Sequence, residues 1–318
     1  MNSFKVSLVV PLRNEEASLP ALLESVGRQT RPPDEIVLVD GGSTDGTVAL
    51  ARRYAAEDPR IRVVEAGDAT PGRGRNVGVA AAAHDWVAFT DAGITLDAAW
   101  LERLARAAED LGADVVYGNY EPKAVSLFER CAALSYPSPK RQRPGGLMRG
   151  PVVPSSLMRR RAWEAVGGFP DLRAAEDMIF VERVNASGCK VGWAPAATVW
   201  WELPPSLGST FRRFVLYSRH NVWAGRQRDW HYGVARKYAF AVPFVVLAFA
   251  HSPWWLAVPL AATLARVAKS IWDRREGRGL RWLLNPVQFA GVALVLLTVD
   301  LATFVGWAQA VARRGASR

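Results

Sequence analysis

Apolar and polar positions alternate in blocks through the first 120 residues, and the blocks have two lengths. Short apolar runs at Val6–Leu12, Ile36–Val39, Ile61–Val64, Trp86–Phe89 and residues 114–117 predict buried strands. Between them lie stretches with apolar residues at helical spacing, such as Leu19, Leu22, Leu23 and Val26, which predict helices packed on a sheet. Thr47–Ala56 and Arg75–Ala83 fit the same pattern, and Asp97 is placed to cap a further helix carrying Trp100, Leu101, Leu104 and Ala108. Strands alternating with helices through short turns predict an α/β domain with a mostly parallel sheet and helices on both faces.

From Cys131 to Gly150 the periodicity breaks at Pro137, Pro139 and Pro144 around Lys140-Arg141-Gln142-Arg143, which predicts an irregular loop. It resumes at Ala162–Val166, then Gly167-Gly168-Phe169 leads to a helix carrying Ile179, Val181 and Val184. No internal repeat is evident.

The pattern changes after residue 225. Residues 226–318 hold apolar segments at 238–265 and 286–312, the first interrupted by His251-Ser252-Pro253 and the second carrying Asp300 as its single charge. A bilayer span needs about 20 residues. The last segment is long enough, whereas each half of the first is short, which predicts a hairpin followed by one span or an interfacial segment. A buried hydrophobic subdomain is the competing reading. The expected division is therefore 1–225 as the catalytic domain and 226–318 as a C-terminal membrane-associated helical region.

Charge adds to this picture. The net charge is +10, and Arg226, Arg228, Arg236, Lys237, Arg266, Lys269, Arg274, Arg275, Arg278 and Arg281 all crowd the apolar segments. That placement favours anionic lipid over nucleic acid. The positive-inside rule then puts the catalytic domain and the 269–281 loop on the cytoplasmic face of the cell membrane. Cys131 and Cys189 are the only cysteines; with no CxxC pair or Cys/His cluster they predict reduced structural thiols rather than a disulfide or zinc. The N-terminus runs straight into a strand and shows no secretory signal.

In parallel α/β sheets ligands gather at the carboxyl ends of the strands. There the chain keeps Arg13-Asn14-Glu15, Asp40-Gly41-Gly42-Ser43, Asp68 and Asp91. Gly72, Gly74 and Gly78 surround Arg73, Arg75 and Asn76 at a helix entrance, where N–H groups and a cation can face phosphate. Asp-Gly-Gly-Ser also suits a turn, and Asn76 also suits a helix cap.

Five segments in this order resemble family 2 glycosyltransferases, inverting enzymes of GT-A fold: Val9-Val10-Pro11-Leu12-Arg13-Asn14-Glu15-Glu16, Val39-Asp40-Gly41-Gly42-Ser43-Thr44-Asp45-Gly46-Thr47, Gly74-Arg75-Asn76-Val77-Gly78, Thr90-Asp91-Ala92-Gly93, and Gly167-Gly168-Phe169 followed by Glu176-Asp177. The resemblance covers about the first 225 residues. It implies a nucleotide-diphosphate sugar as donor, with Pro11, Arg13, Glu15 and Asp40 at its base, Asp68, Arg75 and Asn76 in the donor pocket, and Asp91 holding Mg²⁺ or Mn²⁺ at the diphosphate. Asp177 becomes the base for the acceptor hydroxyl, oriented by Glu176, and Arg219 the cation likeliest to meet a phosphate. With the apolar tail, it implies single-sugar transfer to a lipid-linked or glycan acceptor near the membrane, in cell-envelope glycan or glycolipid synthesis.

The chain departs from the family pattern at three places. Gly41 replaces a second acid, Gly93 replaces the last carboxylate of Asp-x-Asp, and Thr198-Val199-Trp200-Trp201-Glu202 lacks the metal-binding His. Two other classes stay open: an inactive homologue serving as a membrane scaffold, and a nucleotidyltransferase, whose Gly-rich Lys signature is missing. The Gln-x-x-Arg-Trp signature of processive synthases is also absent.

Overall fold

The computed structural model describes residues 5–316, with side chains described through residue 312. The chain folds in the order β1 (Val6–Leu12), α1 (Leu19–Gly27), β2 (Glu35–Asp40), α2 (Thr47–Glu57), β3 (Ile61–Glu65), α3 (Pro71–Ala81), β4 (Trp86–Phe89), β5 (Ile94–Leu96), α4 (Trp100–Leu111), β6 (Val115–Lys123), α5 (Leu127–Ala133), β7 (Arg141–Arg143), β8 (Gly146–Met148), β9 (Ser156–Arg159), α6 (Arg160–Ala165), α7 (Glu176–Ala186) and β10 (Val191–Glu202). Helices α8 (Leu207–Trp223), α9 (Gln227–Trp230), α10 (Tyr232–Ala250), α11 (Ala257–Trp272), α12 (Leu280–Leu283) and α13 (Pro286–Ala316) complete it.

Eight strands form one sheet in the order β3-β2-β1-β4-β9-β6-β10-β5. The β/α units read from the periodicity make its parallel half: β1 pairs with β2 and β4, and β2 with β3, all in parallel. The other half adds antiparallel pairs, β9 with β4 and β6, and β10 with β5. Side chains alternate across β1, as strand geometry requires. Val6, Leu8, Val10 and Leu12 pack with Leu19 and Leu22 of α1 and Trp100 and Leu104 of α4. Val9 packs on the opposite face with Val79 of α3 and Phe180 of α7.

Several local expectations change. The 131–150 stretch is not irregular throughout, because Cys131 sits in α5, which a Ser126–Glu129 capping box starts, and Arg141–Met148 folds into the β7–β8 hairpin. Helix α3 begins at Pro71, ahead of Arg75, and its cap is Thr70, whose hydroxyl accepts from Arg73 N at 3.2 Å; Asn76 is not a cap. The residue at the α4 cap is Ala99; Asp97 instead accepts from Ala99 N at 3.1 Å and from Arg103 at 2.8 Å.

Contacts group the chain into two compact units, Met1–Pro122 with Lys140–Glu202, and Lys123–Pro139 with Leu203–Arg318. Helix α8 thus groups with the apolar helices, although it lies before residue 225. In the second unit Cys131, Leu134, Val267, Ile271, Val292 and Leu296 make a small core. Two helices there, Tyr232–Ala250 and Pro286–Ala312, are long and apolar enough to cross a membrane.

Candidate active site

The first unit draws four of the expected residues around one guanidinium. Arg75, on the first turns of α3, is 2% exposed. Its Nη1 donates to Glu176 Oε1 at 2.8 Å and its Nη2 to Asp91 Oδ1 at 2.7 Å. Asp91 comes from the end of β4, and Glu176 and Asp177 open α7. The three segments lie far apart in sequence. They meet because α3 and α7 share one face of the sheet, where Phe169 stacks on Phe180 at 3.9 Å between ring centroids and the Arg75 guanidinium sits 5.5 Å from the Phe169 ring.

Asn76 fixes the strap that delivers α7. Its Oδ1 accepts from Phe169 N at 2.8 Å and from Trp163 Nε1 at 2.9 Å, while its Nδ2 donates to Phe169 O at 2.8 Å. At Gly72 a Cβ would sit 2.1 Å from Pro170 O, so only glycine lets the strap approach α3 this closely. Ala175, just before Glu176, holds φ +70°, a left-handed conformation that costs a non-glycine residue about 1–2 kcal/mol. Backbone strain of this kind concentrates at functional sites.

One cation faces more than one acid here, and the pKa directions follow. Burial works against the charge of Arg75, but Asp91 and Glu176 outweigh it and push its pKa up. Burial raises Asp177, with Arg75 opposing and Asp91 adding to the rise. Burial also raises Glu176, opposed by Arg75 and reinforced by Asp177. Asp177 is half-buried and accepts from Met178 N at 2.8 Å. That hydrogen bond, like Arg75, opposes the rise, and burial outweighs both, which holds the carboxylate more basic than usual.

The remaining expected residues occupy the strand ends around this centre. Asp40, 4% exposed, accepts from Gly42 N at 2.9 Å and Ser43 N at 3.1 Å, the turn that its sequence suggested. Arg13 pairs with Asp68. Glu15 donates its N–H to Thr47 Oγ1 at 2.7 Å, its carboxylate accepts from Ser18, and burial, helped by Asp91 and Asp45, raises its pKa. Pro11 stands beside Gly74, where a Cβ would lie 3.3 Å from the proline ring. Arg219 belongs to the second unit, on α8, with its guanidinium 5.2 Å from the Trp223 ring.

Two of the departures from the family pattern acquire a geometry. A Cβ on Gly41 would meet Ala69 O at 2.8 Å, so the 66–70 loop excludes an acid there. Gly93 holds φ +77° beside open space. Antiparallel pairing of β5 with β10 matches Trp201 to Ile94, and Glu202 is the last residue of β10. Among the described residues no three His, Cys, Asp or Glu side chains cluster as a metal site. Asp91, just past the end of β4, is an oxygen donor of the kind a hard divalent ion takes together with a diphosphate and water.

A parallel α/β half-sheet with acids converging at its carboxyl edge is the framework of nucleotide-sugar transferases. Residues 7–166 match the model of "Glycosyl transferase family 2", and the chain belongs to that family. Among its relatives is the succinoglycan biosynthesis protein ExoA of Rhizobium meliloti, 29% identical over 67% of each chain. The glycosyltransferase AglE of Haloferax volcanii is 27% identical over 59% of this chain and 64% of its own. The matched stretch thus spans about two thirds or less of these relatives. TarS residues 1–349 of S. aureus, crystallised with UDP-GlcNAc, superpose with a TM-score of 0.52 at 17% identity, over 94% of this chain and 90% of that one; the likeness is one of GT-A fold.

Proposed function

We propose that this family 2 glycosyltransferase moves a single sugar, with inversion, from a nucleotide-diphosphate sugar to a lipid-linked or membrane-proximal acceptor in cell-envelope glycan or glycolipid synthesis. The observation that carries the reading is the convergence of Asp91, Glu176 and Asp177 on Arg75. In the reaction the acceptor oxygen bonds to the anomeric carbon, the bond from that carbon to the diphosphate breaks, and the hydroxyl proton passes to Asp177. Inversion follows from attack opposite the leaving group. Glu176, locked to Arg75, fixes the first turn of α7 and with it Asp177.

A divalent metal, Mg²⁺ or Mn²⁺, held by Asp91, would neutralise the charge that develops on the leaving diphosphate. Arg75 lends its charge to the same edge of the site through Asp91. Asp40, Arg13, Glu15 and Pro11 border the base pocket, with Asp68 orienting Arg13, while Asn76 shapes the donor side by holding the 167–170 strap. The UDP and UDP-GlcNAc complexes of TarS support a nucleotide-sugar donor, and the name of ExoA supports a polysaccharide setting. Arg219 is the candidate for a phosphate of donor or acceptor. The catalytic unit faces the cytoplasm, where nucleotide sugars are found.

A panel of nucleotide sugars, assayed by release of nucleoside diphosphate from membranes carrying the full chain, tests this. One donor should turn over with wild type and at least a hundredfold more slowly with Asp177→Asn. Equal turnover by both would remove Asp177 as base, and no turnover of any donor would favour a scaffold.

A further inference from the structure

Helix α13 carries the longest apolar run in the chain, and within the second unit α5 and α8 pack on part of its surface while Leu294, Leu297 and Leu301 stay exposed. Toward its N-terminus it meets α5, where a Cβ on Gly291 would lie 2.5 Å from Cys131 Sγ. Toward its C-terminus it meets α8: Ser218 Oγ donates to Thr303 O at 2.7 Å, and a Cβ on Gly306 would lie 2.5 Å from Val215 O. Helix α8 also carries Arg212, Arg213, Arg219 and His220. Such a helix seated along the second half of α13 cannot follow it into hydrocarbon.

The α10–α11 pair meets α13 in a register that excludes three side-by-side spans. In an up-down-up bundle the starts of α10 and α13 share one membrane face. Here the His231 ring, just before α10, lies 5.0 Å from the Trp307 ring, about 30 Å along α13 from its start. Tyr238 OH donates to Asp300 at 3.0 Å and Arg266 Nη2 to Asp300 at 2.9 Å, while Val267 and Ile271 pack on Val292 and Leu296. These contacts of the pair with α13 come from its base, the first turns of α10 and the last turns of α11, which points to a crossing of α13.

Beyond that base, none of the described residues 238–265 is buried. Helix α10 has no buried residue, and Phe249 and Trp254 are 89% and 84% exposed. Residues 238–265 carry no Asp, Glu, Lys or Arg, whereas the base and the following loop carry ten cations against Asp229, Asp273 and Glu276. The uncharged part of α10, Tyr238 to Ala250, is about 20 Å long at 1.5 Å per residue, against a hydrocarbon thickness of about 30 Å. At the tip, His251 N and Ser252 N donate to Leu247 O, Trp255 N donates to Ser252 O, and Pro253 has no N–H to satisfy. Hydrocarbon demands such internal pairing.

We propose that the second unit is monotopic: α13 lies along the headgroup interface, and α10–α11 is a re-entrant hairpin that enters one anionic leaflet and returns to the same face. Lys237, Lys269, Arg275, Arg278 and Arg281 then meet lipid phosphates at the anionic surface. Arg275 and Arg278 lie 3.6 and 4.7 Å from the rings of Trp272 and Trp282, pairs suited to an interface. The proposal deepens the membrane part of the function above, and it stands or falls apart from the catalytic reading.

The test places single cysteines at Ser252 and, as a second site, Val245, in full-length protein with Cys131→Ser and Cys189→Ser, in sealed vesicles containing phosphatidylglycerol. A membrane-impermeant maleimide should label neither position from the side opposite the N-terminus. A fluorophore at either position should be quenched more by deep than by shallow lipid spin labels, and a C-terminal reporter should lie on the N-terminal side. Labelling of Ser252→Cys from the opposite side, or a reporter found there, would establish a span and overturn the proposal. Release by high salt alone, or cross-linking of two copies through residue 252, would overturn it as well.

Discussion

Each unit pairs an arginine with a buried carboxylate, and the two clusters have opposite charge balance. Arg75 is shared by Asp91 and Glu176 with Asp177 alongside, so negative charge exceeds positive there. Arg266 and Tyr238 both serve Asp300, which is 1% exposed, so that single acid is fully satisfied. An unsatisfied cluster can take up a proton or a cation. A saturated one can only hold helices together.

Substitutions can break this contrast. The largest effect should come from Asp177→Asn, a loss in kcat of about 10²–10⁴ with nucleotide-sugar binding retained, measured by diphosphate release beside a binding isotherm. Retained kcat would show that the excess acid is not the base. Next, Arg75→Met should cost about 3–5 kcal/mol in unfolding free energy, since it strands Glu176 and Asp91. In whatever folds, it should also move the acid limb of the kcat/KM profile. The sign is fixed: as the proposed base Asp177 would work deprotonated, and its pKa is already raised, so activity should fall as pH drops through that value, and losing Arg75 should raise it further.

Asp300→Asn should likewise destabilise by a few kcal/mol, read from detergent-melting of the full chain. The double change Asp300→Leu with Arg266→Met should restore much of that, because replacing both members of a buried pair by apolar groups is often tolerated. The corresponding pair of changes at Arg75 and Glu176 should restore stability and leave no turnover. Equal behaviour of the two double variants in turnover would erase the distinction. The smallest effect is expected from Ala175→Gly, a gain of about 1 kcal/mol as the left-handed strain before Glu176 is released, with kcat unchanged or lower as α7 loosens.

Much of this was legible in the chain. The β/α alternation that makes the parallel half-sheet is local, because buried strands and amphipathic helices differ in hydrophobic period. Strands β5 and β9 were not legible: Ile94–Leu96 and Ser156–Arg159 are too short to show a period, and only the sheet edge assigns them. Asn76 shows the same limit from the side of the site. Its amide in a helix-opening motif suited either a cap or the donor pocket, and the fold spends it on Trp163 and Phe169, almost a hundred residues away.

The sequence by itself determined the residue types: five motif segments, their order, the acids at strand ends, and an apolar tail ringed by cations. These are statements about neighbours in the chain, where period, turn chemistry and charge spacing act. Tertiary structure alone decided that Arg75 joins Asp91 to Glu176, that Trp201 pairs with Ile94, and that Tyr238 and Arg266 meet on Asp300 of α13. Each is a contact between segments from about 15 to 110 residues apart, fixed by sheet register or helix packing, and no local pattern encodes those.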